Sequence, residues 1–234
     1  MNTIKSLPEI IEKITPSIGA FGYAFPKDTN QFEVSMRGTA FCIKEGGYFL
    51  TCKHVFDQIP TYAKSSIKIW LFDKNAELNR NYPAFDADFI KDDAEFDFAI
   101  FKIKNCTIPL NPLDLGNSDE IVVGKDVIFS GFPTITMEAG AEKGVRITFA
   151  TRKCIVSSIK RRDKDGGIFF FLLDVECNEG FSGSPLIDLG TGKVIGVVAR
   201  RFRQLSQKAE DIDRPAIFGW AYPINPAKNL LGNL

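Results

Sequence analysis

One short segment of the chain has the composition of a nucleophilic turn. Glu179 to Pro185 reads E-G-F-S-G-S-P, which places Ser182 between glycines. Glycine lets the backbone turn tightly, and such a turn exposes a serine Oγ while the amides of Gly180 and Ser182 point into one pocket. Two amides arranged in this way stabilise a developing oxyanion. Because glycine and serine also form ordinary turns, the segment alone leaves both interpretations open.

A serine nucleophile needs a base, and the chain contains a single histidine. His54 follows an apolar run in L-T-C-K-H-V, and Asp97 precedes the apolar strand F-A-I-F. A carboxylate at the start of a buried strand needs a partner, whereas the charge run just before it predicts a solvated loop. That run contains Asp92, Asp93 and Glu95. In the order His54, Asp97, Ser182 the chain offers a base, an orienting acid and a nucleophile, although a lone histidine is otherwise often structural.

These three neighbourhoods together resemble the trypsin-like serine peptidases of the chymotrypsin fold, and within them the HtrA-like (DegP-like) branch. Further segments are similar to that branch in the same order: I-E-K-I-T-P-S from Ile11, G-T-A-F-C-I from Gly38, G-K-D-V from Gly124, G-F-P from Gly131, I-V-S from Ile155 and F-G-W-A-Y-P-I-N from Phe218. The resemblance implies an all-β protein of two six-stranded antiparallel barrels with short N- and C-terminal helices.

The same resemblance implies one peptidase domain over residues 1–234. Its N-terminal half, 1–104, would carry the histidine and the aspartate, and its C-terminal half, 120–234, the serine. The turn-rich connection Asn105 to Asp119 is the predicted seam between them.

The pattern of short apolar runs separated by turn residues agrees with an all-β fold. Helical spacing of isoleucine and leucine predicts a helix over residues 3–14, and Asn225-Pro226 predicts the start of a terminal helix. The predicted strands are Ser17 to Phe25, Phe32 to Ile43, Tyr48 to Thr51, Ile67 to Phe72, Phe98 to Ile103, Val127 to Gly131, Val145 to Phe149, Cys154 to Ile159, Ile168 to Val175, Lys193 to Arg200 and Ala216 to Tyr222.

As an activity, the resemblance implies a serine endopeptidase that hydrolyses peptide bonds through a covalent acyl-enzyme. Substrate would bind as an extended strand beside three consecutive residues, Ala199, Arg200 and Arg201. Glu176 to Glu179 would frame the primary pocket on one side and Gly219 on another. In the trypsin-like pattern, the position six residues before the serine is near the pocket floor, so Glu176 there implies a preference for basic side chains. Alternatively, Glu176 pairs with one of the two arginines.

Regulation is also suggested by the resemblance. Secreted trypsin relatives have an aspartate before the nucleophile that pairs with a freshly cut N-terminus, and Phe181 at that position predicts no such activation. Loop ordering or a protein partner is the expected trigger, with Thr134 to Gly144 and Lys160 to Gly167 in the places of activation loops. Both could instead be plain surface loops. The charged stretch 200–214 is a lid, a partner site or a solvated loop, and no PDZ domain is expected after Asn225.

Composition narrows the remaining classes. Lys and Arg together number 29 and so do Asp and Glu, so no global field favours nucleic acid. Neither a signal peptide nor an apolar run of roughly 20 residues is evident, which predicts a cytoplasmic protein without membrane contact. The five cysteines are scattered and predict reduced, mostly buried thiols, with no cofactor and no metal. For Cys52, beside the histidine, a redox-sensitive thiol is the alternative.

Three functions are therefore compatible with the sequence. The first is a polypeptide-cleaving serine endopeptidase. The second is a binding module that keeps the fold without turnover, and the third is a peptidase that stays silent until a regulatory protein partner or a ligand orders its loops.

Overall fold

The structure, a computed structural model, describes residues 6–26, 32–71, 83–106, 108–136, 145–201 and 218–232. Within them, two closed six-stranded antiparallel barrels account for most of the backbone. This arrangement confirms the predicted fold class.

The first barrel contains six strands: β1 (Ile18–Pro26), β2 (Phe32–Lys44), β3 (Tyr48–Cys52), β4 (Ile67–Leu71), β5 (Ala84–Asp93) and β6 (Phe98–Ile103). They pair in the order β1-β2-β3-β6-β5-β4, and β4 returns to β1 to close the barrel. Alternate side chains of each strand point into the barrel, and aromatic rings are among those that fill its interior. Phe21 and Phe101 meet there with ring centroids 4.8 Å apart.

The second barrel contains β7 (Asp126–Gly131), β10 (Ala150–Arg161), β11 (Ile168–Leu173), β12 (Pro185–Asp188), β13 (Val194–Arg201) and β14 (Gly219–Pro223). Their order is β10-β11-β14-β13-β12-β7, closed by pairing of β7 with β10. The short strands β8 (Thr134–Thr136) and β9 (Val145–Ile147) form a separate two-stranded sheet. Phe129, Phe171 and Leu186 lie in the core of this barrel.

Short helices lie at both ends of the described chain. α1 (Leu7–Ile14) begins after Ser6, whose amide donates to the Glu9 carboxylate at 2.7 Å. α2 (Lys53–Asp57) follows β3, and α3 (Asn225–Leu231) has proline in its first turn. None of the helices described by the structure is long and apolar enough to cross a membrane.

The predicted seam is a strap that hydrogen-bonds to both barrels. The amide of Leu113 donates to the Cys42 carbonyl of the first barrel at 2.9 Å, and the amide of Gly116 donates to the Val194 carbonyl of the second at 2.7 Å. The connection between the two halves therefore contacts both barrels.

One interpretation from the sequence was wrong. Asp92 and Asp93, taken as part of a solvated loop, are the last residues of β5. The sequence pattern did not predict this strand because β5 carries charged residues on its outer face, where Lys68 and Lys104 pair with its aspartates. The turn that follows it, from residue 94 to 97, supplies Asp97.

Candidate active site

His54 and Asp97 form a closely bonded pair at the junction of α2 with the β5–β6 turn. The Asp97 carboxylate accepts the His54 backbone N–H on Oδ1 at 2.8 Å and faces ring Nδ1 with Oδ2 at 2.5 Å. The Asp97 carbonyl also accepts the Lys53 amide at 2.7 Å. Asp97 adopts the left-handed backbone conformation with φ of 57°, which aspartate tolerates better than most residues. With Nδ1 as donor, the imidazole keeps an acceptor lone pair on Nε2.

An ion-pair network supports the helix that carries this histidine. The Lys53 ammonium lies 2.8 Å from Asp92 on β5 and 3.1 Å from Asp57 on α2. These hydrogen bonds, that of Asp92 first, raise the pKa of Lys53. The network is largely exposed, so it orients α2 more than it stabilises the fold.

Thr39 of β2 fastens the Ser182 turn to the first barrel. The Thr39 amide donates to the Ser182 carbonyl at 2.8 Å, and its Oγ1 donates to the Gly180 carbonyl at 2.7 Å. The same Oγ1 accepts the Phe132 amide at 3.0 Å. Gly183 has φ of 90°, and a Cβ there would collide with the Thr39 carbonyl. The role of Thr39 was not predicted from the sequence.

Phe181 anchors the same turn from the other side. Its side chain is 1% exposed and packs edge-on against Phe129 of β7, with ring centroids 5.0 Å apart. An apolar anchor therefore stands where the secreted trypsin relatives have an aspartate. Thr39 and Phe181 thus hold the turn from two sides.

The Ser182 hydroxyl is hydrogen-bonded to a backbone carbonyl of the second barrel. Its Oγ donates to the carbonyl of Ala199 on β13, and within the described residues it makes no hydrogen bond with His54. Ala199 lies at a register shift in the β13–β14 pairing, between Val198 and Arg200. Among the described residues, no hydrogen-bond acceptor contacts the backbone amides of Gly180 and Ser182.

Of the predicted pocket residues, Gly219 is the first residue of β14. Gly219 approaches the buried Cys177 so closely that a Cβ would collide with its Sγ, which explains the glycine. Glu176, next to this cysteine, is half-buried. The backbones of Arg200 and Arg201 pair with β14, but their side chains lie outside the described residues. The charged stretch beyond 201 lies outside them as well.

Of the two predicted activation segments, one is only partly described. Thr134–Thr136 forms β8, and the remainder of that segment lies outside the described residues. Lys160 to Gly167 forms the end of β10 and the turn before β11. In this turn Arg162 pairs with Glu95, just before Asp97, at 2.9 Å.

Comparison with known proteins gives a consistent family. A probable periplasmic serine endoprotease DegP-like of Chlamydia pneumoniae is 29% identical over 177 residues, covering 76% of this chain and 31% of that protein. A putative serine protease HhoA of Synechocystis sp. is 28% identical over 221 residues, covering 92% of this chain and 47% of that protein. The chain thus spans less than half the length of these relatives. The name of the first relative includes a periplasmic location, which differs from the cytoplasmic location predicted from the sequence.

The solved structures agree with the barrel architecture. An HtrA-type protease AlgW with decapeptide matches with a TM-score of 0.69 at 21% sequence identity, over 98% of this chain and 67% of that one. Likeness at this identity establishes a shared chymotrypsin-like fold. A model of the trypsin-like peptidase domain matches residues 38–197, a range that includes the pair His54–Asp97 and the Ser182 turn. The chain therefore belongs to the family of trypsin-like peptidase domains.

Proposed function

We propose that this chain is a serine endopeptidase that uses His54, Asp97 and Ser182 as its catalytic residues. The observation that carries the proposal is the doubly hydrogen-bonded pair of His54 and Asp97, with Nδ1 and Oδ2 2.5 Å apart. A carboxylate that fixes the ring in this way selects the tautomer with a free Nε2 lone pair, as a general base requires. Family membership supports peptide hydrolysis as the reaction.

In the proposed reaction, Ser182 Oγ attacks the substrate carbonyl carbon and passes its proton to His54 Nε2. The oxygen gains negative charge and is stabilised by the amides of Gly180 and Ser182. The Nε2 proton then moves to the leaving amine nitrogen, the C–N bond breaks, and an acyl-enzyme ester remains on Ser182. A water molecule, deprotonated by Nε2, attacks this ester and releases the acid.

Attack first requires Ser182 to leave the Ala199 carbonyl. Rotation about the serine Cα–Cβ bond to another staggered position is fast and of low energy. A substrate lying antiparallel to β13 would offer a backbone N–H to the Ala199 carbonyl and so replace the hydroxyl as its donor. Substrate binding would thereby favour the serine position from which the proton reaches His54.

Substrate recognition is proposed to combine this edge with the pocket beside Gly219. β13 extends to Arg201, whereas its partner β12 begins at Pro185, which pairs with Val197. Beyond that pair, Ala199, Arg200 and Arg201 continue β13, and an extended peptide would form backbone hydrogen bonds with these three residues. Half-buried Glu176 beside the pocket favours a basic side chain in the substrate. We also propose that a protein partner or the ordering of loops regulates peptide cleavage.

A second candidate function is a binding module without turnover. The hydrogen bond from Ser182 Oγ to the Ala199 carbonyl favours it, since a serine held there does not share a proton with the histidine. In that case β13 would still bind an extended peptide, and no acyl-enzyme would form.

A peptidyl phosphonate that reacts only with an activated serine separates the two functions. We expect the wild-type protein to gain the mass of one phosphonyl group on Ser182, and Ser182→Ala to gain none. His54→Ala should be labelled at least about 10³-fold more slowly, because the base is then missing. If the wild type binds a peptide substrate yet is never labelled, alone or in a cell extract, the binding module replaces the peptidase.

A further inference from the structure

Three side chains with metal-binding chemistry meet at the proposed base. Cys52 Sγ, a ring nitrogen of His54 and a carboxylate oxygen of Asp97 all lie within 4.8 Å of one another. Thiolate, imidazole and carboxylate are the three ligand types found in protein zinc sites. Within the described ranges this is the one group of three such donors that lie so close together.

We propose that the Cys52–His54–Asp97 cluster is an inhibitory binding site for a thiophilic divalent cation such as Zn²⁺. Binding of the cation follows from the cluster itself. Its inhibitory effect rests on the proposed function, in which His54 is the base.

The backbone orients one of the three ligands, the Asp97 carboxylate. The His54 amide occupies Asp97 Oδ1, which leaves Oδ2 directed toward the ring at 2.5 Å from Nδ1. Ligands at about 2.0–2.3 Å from a tetrahedral zinc lie roughly 3.3–3.6 Å from one another. A separation of 2.5 Å must therefore widen by about 1 Å, while the sulfur moves inward from its present position.

The third ligand lies on the buried side of the cluster. Cys52 is fully buried, and its Sγ contacts the Val198 carbonyl of β13 at 3.3 Å. On metal binding the thiol releases its proton to solvent, and the thiolate turns from the carbonyl to the cation. The side chains of His54 and Asp97 are 12% and 17% exposed, so the cation enters from their side and keeps an open position for water.

A cation at this position removes the acceptor that catalysis needs. A neutral imidazole carries one N–H and one lone pair. When Nδ1 gives its lone pair to the metal, the remaining proton of the ring lies on Nε2. Nε2 then has no lone pair for the Ser182 proton, and the Asp97 oxygen that fixed the ring is a metal ligand. Hard cations such as Mg²⁺ prefer oxygen ligands and should not compete.

Binding is tested with Co²⁺ on Ser182→Ala, a background that separates binding from turnover. We expect one Co²⁺ per chain and a near-ultraviolet charge-transfer band from thiolate to cobalt. The charge-transfer band should be lost in two double variants, in which Cys52→Ala or Cys52→Ser is added to Ser182→Ala. The serine variant keeps the shape of the cysteine side chain. Adding Cys106→Ala instead is the matched control, because this half-buried thiol is outside the cluster. No band, or a band unaffected by both Cys52 changes, overturns the site.

Inhibition is tested separately with Zn²⁺ and the wild-type serine. The rate of peptide cleavage should fall by at least tenfold at saturating Zn²⁺ and return on adding a chelator, with Mg²⁺ having no effect. Each variant is compared with its own metal-free rate, and Cys52→Ser should need at least about tenfold more Zn²⁺ for the same fractional loss. If the wild type and Cys52→Ser are equally sensitive to Zn²⁺, the inhibitory role is overturned. Cobalt binding without any cleavage by the metal-free enzyme supports the metal site and instead contradicts the proposed function.

Discussion

At the scale of single residues, the proposed oxyanion turn depends on Thr39. This residue uses its amide and its hydroxyl to hold two carbonyls of the turn, those of Ser182 and Gly180. These carbonyls belong to the 180–181 and 182–183 peptide planes, which flank the plane of the Ser182 amide, so holding both restricts the rotation of that amide. Thr39 thus acts as a positioning residue that has no contact with the reacting atoms.

Thr39→Val keeps the shape of the side chain and removes its hydroxyl. Two buried groups, the Gly180 carbonyl and the Phe132 amide, then lose a partner, and we expect a loss of about 1–3 kcal/mol in unfolding free energy. We expect kcat to fall by at least tenfold with little change in KM, since the turn loses its orientation. Thr39→Ser should restore most of kcat. Steady-state kinetics and urea unfolding measure both effects, and an unchanged kcat in the valine variant would show that the turn is positioned by other contacts.

Residue types predicted the histidine, aspartate and serine, because each is chemically distinctive in its neighbourhood. The partners of those residues were not predictable in the same way. Thr39 reaches Gly180 across 141 positions of the sequence, and Cys52 reaches Val198 across 146. Such contacts exist only after the two barrels have docked. From the sequence alone, Thr39 and Cys52 do not differ from any other threonine or cysteine in a β-strand.

At the scale of elements, the β10–β11 turn supports the turn that carries Asp97. Arg162 pairs with Glu95 at 2.9 Å and lies over the ring of Phe96, 5.2 Å from its centroid. Phe96 in turn contacts Tyr222 of β14 edge-on at 6.2 Å. One hairpin of the second barrel therefore restrains the catalytic carboxylate proposed on the first.

Arg162→Ala tests whether this restraint matters for catalysis. An exposed ion pair contributes little to folding, so we expect the unfolding free energy to change by no more than about 1 kcal/mol. kcat should nevertheless fall several-fold, because the Asp97 turn loses a support. Lys153→Ala is the matched control, because this exposed β10 side chain pairs with Asp126 of β7 and not with the turn that carries Asp97. If both variants cleave at the wild-type rate, the hairpin does not influence the site.

Most strands were predictable from short apolar or alternating runs, but β5, β8, β12 and α2 were not. β5 carries aspartates on its exposed face, and β12 has only four residues, the first of which is proline. α2 has five residues and follows a strand directly. Short or highly charged elements owe their conformation to their neighbours, so their own residues give only a weak signal.

At the scale of the whole molecule, burial of thiols links stability to alkaline pH. Burial raises the pKa of Cys154 and of Cys177, each from 9.0 to about 12. Between these values the unfolded chain loses thiol protons that the folded chain retains. The unfolding free energy therefore falls as pH rises from 9 toward 12, by at most about 1.4 kcal/mol per pH unit for each thiol.

Urea unfolding at pH 8 and pH 10 measures this dependence. We expect Cys154→Ala and Cys177→Ala to show a smaller loss of stability between the two pH values than the wild type. Val156→Ala is the control, because it creates a cavity in the same core without removing a titratable group. A wild-type pH dependence in both cysteine variants would contradict the assignment.

β14 follows Ser182 in the sequence, is the last strand of the second barrel in chain order, and pairs with both β11 and β13. Until β14 has left the ribosome, Ser182 has no completed barrel to hold its turn. If the proposed function is correct, a growing polypeptide would lack an assembled peptidase site until that strand has been made. The order in which the strands are translated would then delay self-cleavage during synthesis.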